Sequence, residues 1–432
     1  MVISLAAAIV LYLSSSVATP AQPSEGTAVA QRVAEVIAQR YVFPEVGQRI
    51  AAYIRERAAK GVYEKLTPAQ LVDTLTQDLK KENGDRHLYV QYQAGSASPA
   101  PAPGGGPVRV TPGGSSQSRE LARRRNYYLN RVERLDGNVG YLEIRRFFGS
   151  TEEARAAAAA AMAFLADTDA MIIDVRNAPG GDGMMVDLIA SYFFDKVTPT
   201  LHTYSRSRNE TIERTTLENV PGKRRPSIPL YVLTSRDTGS AAEDFAFLLQ
   251  QTGRATLVGD RTAGAGHTNA IMGIGGGYTV SVSIGRTYNP KTNQGWEGVG
   301  VQPHVNVPPS EALDAAHVQA LTALMEKADA PALKKELEWS RDAIEARRKP
   351  PSVDERTLQS YAGQYGARAI RFQGGRLWYQ RLAGAELVPL TTISSTEFAM
   401  GEGQRFQFMV SGGAIEMRML SADGASLAYA RQ

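Results

Sequence analysis

The stretch that decides the fold is PLYVLTSRDTGSAAEDFAFLLQQ, residues 229–251. Its first part is a short run of apolar residues, which is typical of a buried strand. Its second part places apolar residues at helical spacing behind a Thr-Gly-Ser turn. A strand that passes through a tight turn into a helix is the repeating unit of α/β proteins, so this stretch predicts that class.

The serine in this turn, Ser240, has two interpretations. Ser-Ala-Ala-Glu fits a helix capping box, with Glu243 at the third helical position. The strand–turn–helix order also resembles the geometry of a nucleophile elbow, although DTGSAA is not GxSxG. A capping serine is the commoner case, and residues 229–251 alone favour it.

Strands and helices alternate on both sides of this stretch. NVGYLEI, AMIIDV and ATLVG are typical of strands, whereas STEEARAAAAAAMAFLA and GMMVDLIASYFF are typical of helices. Such alternation predicts βαβ units, with helices covering the sheet. We assign this α/β core to residues 119–308.

The regions that flank this core differ in pattern. Residues 24–93 predict an N-terminal helical domain, and 94–118 are a Pro/Gly/Ser-rich flexible linker. Residues 309–350 predict a helical connector. Residues 353–432 carry two Gly-Gly turns between β-rich arms and predict a small antiparallel β domain.

The first 18 residues predict a secretory signal peptide. Their apolar core, Val2 to Leu13, is too short for a comfortable membrane span, and Ser16-Val17-Ala18 fits a small-x-small cleavage pattern. No Lys or Arg precedes this core, which departs from the usual pattern. We therefore expect an exported protein, periplasmic or secreted, which stays tethered to the membrane if the segment is not cleaved.

Composition excludes several classes of function. The chain has 48 Lys and Arg against 44 Asp and Glu, a net charge of +4, too dilute for a nucleic-acid partner. It has no cysteine, which rules out thiolate chemistry and disulfides. Its five histidines lack metal-ligand spacing, and no Walker A or GxGxxG motif occurs. The sequence therefore predicts no metal and no cofactor.

A second turn lies in IIDVRNAPGGDGMM, where a buried strand runs through Gly180-Gly181 into a helix. The glycines suit the backbone angles of a tight turn. Their N–H groups at a helix start could instead bind an anion or an oxyanion. This turn and that of Ser240 both follow strands, at the edge where open α/β sheets bind ligands.

Five motifs, in order, resemble peptidase family S41, the C-terminal-processing proteases, and most closely the branch of interphotoreceptor retinoid-binding protein and the tricorn protease core. They are NGDRHLYVQY, DVRNAPGG, LTSRDTGSAAEDFAF, LVGDRTAGAGHT and GRTYNPKTNQGWEGVGVQPHV, within residues 25–308. The resemblance implies a ClpP/crotonase-like ββα core. The PDZ domain frequent in the family has no counterpart, so specificity for substrate tails is not expected.

The resemblance implies catalytic roles for named residues. Ser240 falls on the nucleophile, and Gly180 or Gly181 with Ala241 falls on the oxyanion hole. Many members use a lysine base, but Ala265 stands at that position. The tricorn-like branch uses a histidine base and a glutamate that orients it, roles that fall on His87 and Glu297.

Alternatives remain for the histidines and for the function. His87 could be a structural histidine beside Asp85, and His267 is a rival base or a substrate contact. The leading hypothesis is a serine peptidase that acts on peptides or proteins through an acyl-enzyme. There are two alternatives. One is a non-catalytic binder of hydrophobic ligands such as retinoids or lipids, and the other is a hydrolase of small esters or amides. The sequence does not predict the oligomeric state.

Overall fold

The computed structural model describes residues 24–95, 108–110, 116–149, 151–401 and 403–432. The predicted signal peptide and most of the predicted linker lie outside the described residues. None of the helices within these ranges is long and apolar enough to cross a membrane. The described part of the chain is a mixed α/β structure with helices at its N-terminal end and antiparallel strands at its C-terminal end.

Three helices begin the described chain. The second and third have proline in the first turn, and the third is closed by a capping box between Thr67 and Gln70. The helices and the strands that follow are α1 (Glu25–Arg40), α2 (Pro44–Ala59), α3 (Pro68–Lys80), β1 (Tyr89–Tyr92) and β2 (Val108–Val110).

The central region alternates strands and helices. Its elements are α4 (Ser116–Arg124), β3 (Leu129–Leu135), β4 (Val139–Ile144), α5 (Glu152–Phe164), β5 (Ala170–Asp174), α6 (Gly183–Ser191), β6 (Pro199–Ser205), β7 (Glu210–Thr215), β8 (Leu230–Thr234), α7 (Ala241–Gln251), β9 (Thr256–Gly259), β10 (His267–Gly275), β11 (Tyr278–Tyr288) and β12 (Val305–Asn306).

One six-stranded sheet has the order β12-β9-β8-β5-β4-β3, and its strands are parallel except for the antiparallel pair β3 and β4. Along β5, Met171 and Ile173 pack against α5, α6 and α7, whereas Ala170 and Ile172 face the opposite core. A strand buried on both faces needs a continuous apolar run, which explains AMIID.

A second sheet has the order β2-β10-β11-β6-β7, with β1 paired to β11. Its strands share a core with α1, α2 and α3, in which Val33, Ile37 and Leu75 pack with Val280 and Val282. The N-terminal helices and this sheet are therefore one packed unit. This unit carries the segment before β1, and the first sheet carries the turn after β8.

The C-terminal region consists of three helices and a small set of antiparallel β strands. Helix α8 packs on β5, β8 and β9, opposite α7. The elements are α8 (Ala312–Lys327), α9 (Pro331–Arg348), α10 (Glu355–Ser360), β13 (Gly363–Tyr365), β14 (Arg368–Gln373), β15 (Arg376–Gln380), β16 (Val388–Pro389), β17 (Thr391–Thr392), β18 (Glu397–Met400), β19 (Gln404–Ser411), β20 (Ala414–Ser421) and β21 (Ser426–Ala430).

Candidate active site

Ser240 occupies a strained turn between β8 and α7. Its backbone lies at φ 49° and ψ −118°, a region that L-residues with a Cβ rarely adopt. Gly239 before it donates its N–H to Ala178 O at 2.9 Å, and Asp244 donates to Ser240 O at 2.9 Å. A non-glycine residue held in such a conformation is characteristic of a functional turn.

The structure brings His87 to Ser240 across 153 residues of sequence. His87 Nε2 lies 3.3 Å from Ser240 Oγ. Burial lowers the pKa of His87 below 6.5, its ordinary value; the Asp85 carboxylate opposes this shift and a charge on His267 adds to it. His87 Nδ1 is buried and has no hydrogen-bond partner within the described residues. A neutral imidazole at this distance can take a proton from the hydroxyl.

The Gly-Gly turn lies directly against the nucleophile turn. Gly180 and Gly181 have φ of 129° and 144°, in the range that favours glycine. A Cβ on Gly180 would lie 2.7 Å from Ser240 Cβ and 3.2 Å from Ala241 N, so the backbone approaches too closely for a side chain. No described residue accepts a hydrogen bond from the N–H of Gly180, Gly181 or Ala241. These donors are free for a ligand oxygen.

Glu243 fastens the nucleophile turn to the loop that carries Ala265. The Glu243 side chain is fully buried, and Oε2 accepts from Ser240 N at 2.9 Å and Ala265 N at 2.8 Å. Oε1 accepts from the Thr262 hydroxyl at 2.5 Å and Gly264 N at 2.6 Å. Burial raises the pKa of Glu243, and these hydrogen bonds oppose the rise. The capping-box interpretation identified the bond to Ser240 but not those to the loop.

Glu297 lies on another loop, between β11 and β12, and contacts the backbone of the loop that carries Ala265. Its Oε2 accepts from Gly266 N at 2.6 Å and His267 N at 2.9 Å, and lies 3.6 Å from His267 Nδ1. Its Oε1 is buried without a partner in the described chain, and burial raises the pKa of Glu297. No ion pair or hydrogen bond joins Glu297 to His87 within the described ranges. The structure therefore brings Ser240 and His87 together, and leaves Glu297 beside His267.

His267 is bound to Asp85, which lies two residues before His87 in the sequence. His267 Nδ1 lies 2.8 Å from Asp85 Oδ2, and both side chains are buried. The Tyr41 hydroxyl donates to the same oxygen at 2.9 Å. Burial by itself raises the pKa of Asp85, but the hydrogen bond and charge of His267 outweigh it and hold the pKa below its ordinary value. The only sign of this contact in the sequence was the position of Asp85 two residues before His87.

Asp85, His267 and Glu297 have potential ligand atoms within 4.8 Å of one another, a spacing that one cation could bridge. Protein donors already engage these atoms, however. Asp85 Oδ2 contacts Tyr41 and His267, and Glu297 Oε2 takes two backbone N–H groups. The donor set therefore fits a hydrogen-bond network and not a metal site.

Arg214 joins the two helices that begin at the site, a role that no motif indicated. From β7, its Nη2 lies 2.5 Å from Asp187 Oδ1 on α6, and its Nη1 lies 2.8 Å from Asp244 Oδ2 on α7. All three side chains are largely buried. Helix α6 follows the Gly-Gly turn and α7 follows Ser240, so this clamp sets the distance between the two turns.

Two family models match the chain. The model described as "Peptidase family S41" matches residues 138–307, and that described as "N-terminal domain of Peptidase_S41 in eukaryotic IRBP" matches residues 17–124. The chain belongs to peptidase family S41. The two matched segments include all five motifs quoted above.

Curated relatives match part of this S41 chain. The carboxy-terminal processing protease CtpB of Bacillus subtilis is 26% identical over 183 residues, 42% of this chain and 36% of that protein. The carboxyl-terminal-processing protease of Synechocystis sp. is 31% identical over 156 residues, 36% of this chain and 34% of that protein. The chain thus spans little more than a third of the length of these relatives.

Solved structures similar to this S41 chain include a lipoprotein from Streptococcus agalactiae, with a TM-score of 0.47 and 14% identity, covering 73% of this chain and 100% of that one. The tricorn protease has a TM-score of 0.43 and 16% identity, covering 70% of this chain and 37% of that one.

Proposed function

We propose that this S41 chain is a serine peptidase that cleaves peptide bonds through an acyl-enzyme, with Ser240 as nucleophile and His87 as base. The observation that carries the proposal is the 3.3 Å contact between His87 Nε2 and the hydroxyl of a serine in a strained turn. A serine hydroxyl is a weak nucleophile until a base takes its proton, and His87, whose pKa is lowered, is neutral at pH 7.

The proposed reaction follows from the positions of these groups. Ser240 Oγ attacks the carbonyl carbon while His87 Nε2 takes the hydroxyl proton. The free N–H groups of Ala241 and of Gly180 or Gly181 stabilise the negative oxygen. The imidazolium then gives its proton to the leaving amine, and the C–N bond breaks. Water, activated by the same imidazole, hydrolyses the ester and restores Ser240.

Glu297 is the proposed third member of the catalytic group. Family resemblance assigns it the role of orienting His87. His87 Nδ1 and Glu297 Oε1 are both buried and unpartnered in the described chain, and one is a donor where the other is an acceptor. Their pairing would fix the tautomer with Nε2 free to accept a proton. Such pairing requires movement of one or both side chains from the positions described.

The proposed substrates are peptides or proteins, as expected for the family and in keeping with relatives named carboxyl-terminal-processing proteases. Export is part of the proposal and rests on the signal-like first 18 residues. Nothing in the proposed mechanism requires a metal or a cofactor, because a histidine and backbone donors supply the proton transfer and the charge stabilisation.

A fluorophosphonate probe tests the proposal. We expect the purified chain to be labelled and to cleave unstructured peptides, Ser240→Ala to abolish both, and His87→Ala and Glu297→Gln to slow labelling. Ser207→Ala, an exposed serine remote in sequence from the site, is the control for nonspecific labelling. Labelling with turnover of small esters but not peptides would identify a small ester hydrolase. A protein that is not labelled but binds retinoids or lipids would overturn the enzymatic proposal.

A further inference from the structure

We propose that Asp85 and His267 are a positioning pair that holds the base, His87, at the nucleophile. The inference rests on the proposed function and extends it to two residues that do not touch the reacting atoms. The pair links the segment that carries His87 to loop 262–267. This loop contains Ala265, at the position where many family members have a lysine.

The segment of His87 needs an external anchor. It lies between α3 and β1 and is neither helix nor strand. Asp85 Oδ1 accepts the backbone N–H of His87 at 2.9 Å, so the carboxylate fixes the backbone that carries the imidazole. Asp85 is fully buried, and its other oxygen accepts from Tyr41 and contacts His267. One side chain therefore joins the His87 segment, the end of α1 and the start of β10.

Loop 262–267 connects this anchor to the nucleophile. Glu243 accepts from Gly264 N and Ala265 N, and also from Ser240 N. The next two residues of the loop donate their N–H groups to Glu297. Two carboxylates, the buried Glu243 and the partly exposed Glu297, thus hold four consecutive backbone N–H groups, and the loop ends at the imidazole that contacts Asp85.

These bonds form a closed ring around the site. It runs from Ser240 through Glu243 and the loop to His267, then through Asp85 to His87, whose Nε2 faces Ser240 Oγ again. A misplacement of about 1 Å costs about 100-fold in a catalysed step. In this chain, where Ala265 stands at the lysine position, the same loop serves to locate a base that comes from another part of the chain.

The pKa of His87 can be measured, and it depends on the neighbouring charges, so a role in packing alone would not shift it. The Asp85 carboxylate raises the pKa of His87, and a charge on His267 lowers it. Removing one charge or the other should therefore shift the His87 pKa in opposite directions. The groups linked to His87 are Ser240, which faces its Nε2, and Asp85, which accepts from its backbone. Tyr41 and His267 contact Asp85 in turn, and Glu297 lies beside His267.

The experiment compares Asp85→Asn with His267→Gln in the full chain. We expect fluorophosphonate labelling of each to be about 10–100-fold slower than that of the wild type. The acid limb of kcat/KM should move to lower pH in Asp85→Asn and to higher pH in His267→Gln. Tyr41→Phe is the matched control, since it removes a donor to Asp85 but leaves Asp85 and His267 in place, and its acid limb should not move.

Two results would overturn the inference. One is a wild-type labelling rate in both variants. The other is a slower rate in both with an unmoved acid limb, which indicates a merely structural role. An NMR titration of His87 in each folded variant measures the same opposite shifts without activity. If the wild type is not labelled, the proposed function fails, while the titration still decides whether the pair controls His87.

Discussion

Ser240→Gly should give a more stable protein than Ser240→Ala, although both substitutions remove the nucleophile. Ser240 lies at φ 49° and ψ −118°, where a Cβ is strained and glycine is not. Strain of this kind costs about 1–3 kcal/mol. Glycine in turn lowers the free energy of unfolding by about 0.5–1 kcal/mol relative to alanine, because it loses more backbone freedom on folding. The expected net gain of Ser240→Gly over Ser240→Ala is therefore about 0–2.5 kcal/mol.

Equilibrium unfolding in urea measures this difference in free energy, with labelling by a fluorophosphonate to show that both variants are inactive. Ser283 supplies a matched control, because it is buried on β11 with an ordinary strand conformation. There, glycine should be less stable than alanine by about 0.5–1 kcal/mol. The reasoning is refuted if glycine is as unfavourable at Ser240 as it is at Ser283.

Three further outcomes follow from the structure. Because burial lowers the pKa of His87, kcat/KM should remain constant as pH falls from 7 and decline only below 6.5, as a pH–rate profile will show; a decline centred above 6.5 contradicts this. Arg214→Met should destabilise the protein by about 3–5 kcal/mol in urea unfolding, since it leaves two buried carboxylates unpaired; a loss under 1 kcal/mol would contradict the clamp. Gly181→Ala should abolish labelling, since its Cβ would overlap the carbonyl of Phe147, whereas Gly183→Ala, with open space around it, should be labelled normally.

The strand and helix pattern was largely predictable from the sequence. The apolar run AMIID becomes β5, buried on both faces, and the stretch from Ser240 onward becomes α7. Local periodicity predicts such elements because helices and strands require different spacings of apolar residues along the sequence. The insertion of β6 and β7 was not predicted, since their residues are half exposed and follow no clear period.

The candidate site was predictable only where a motif carried it. Ser240, the Gly-Gly turn and His87 were selected by family resemblance, and the structure places them in contact or adjacent. The contacts of Asp85 and Arg214 were not predicted, because nothing local distinguishes a buried charge with a partner from a solvated one. Their roles depend on partners distant in sequence.

The sequence by itself determined the α/β alternation, the strand–turn–helix at Ser240 and the absence of a lysine at position 265. Each of these features depends only on residues that are close together in the sequence. Only the tertiary structure decided which histidine meets the nucleophile. His87 Nε2 faces Ser240 and His267 binds Asp85, because the packing of α1, α2 and α3 on the second sheet carries the segment before β1 to the end of β8. That packing is a sum of long-range apolar contacts, which no window of sequence contains.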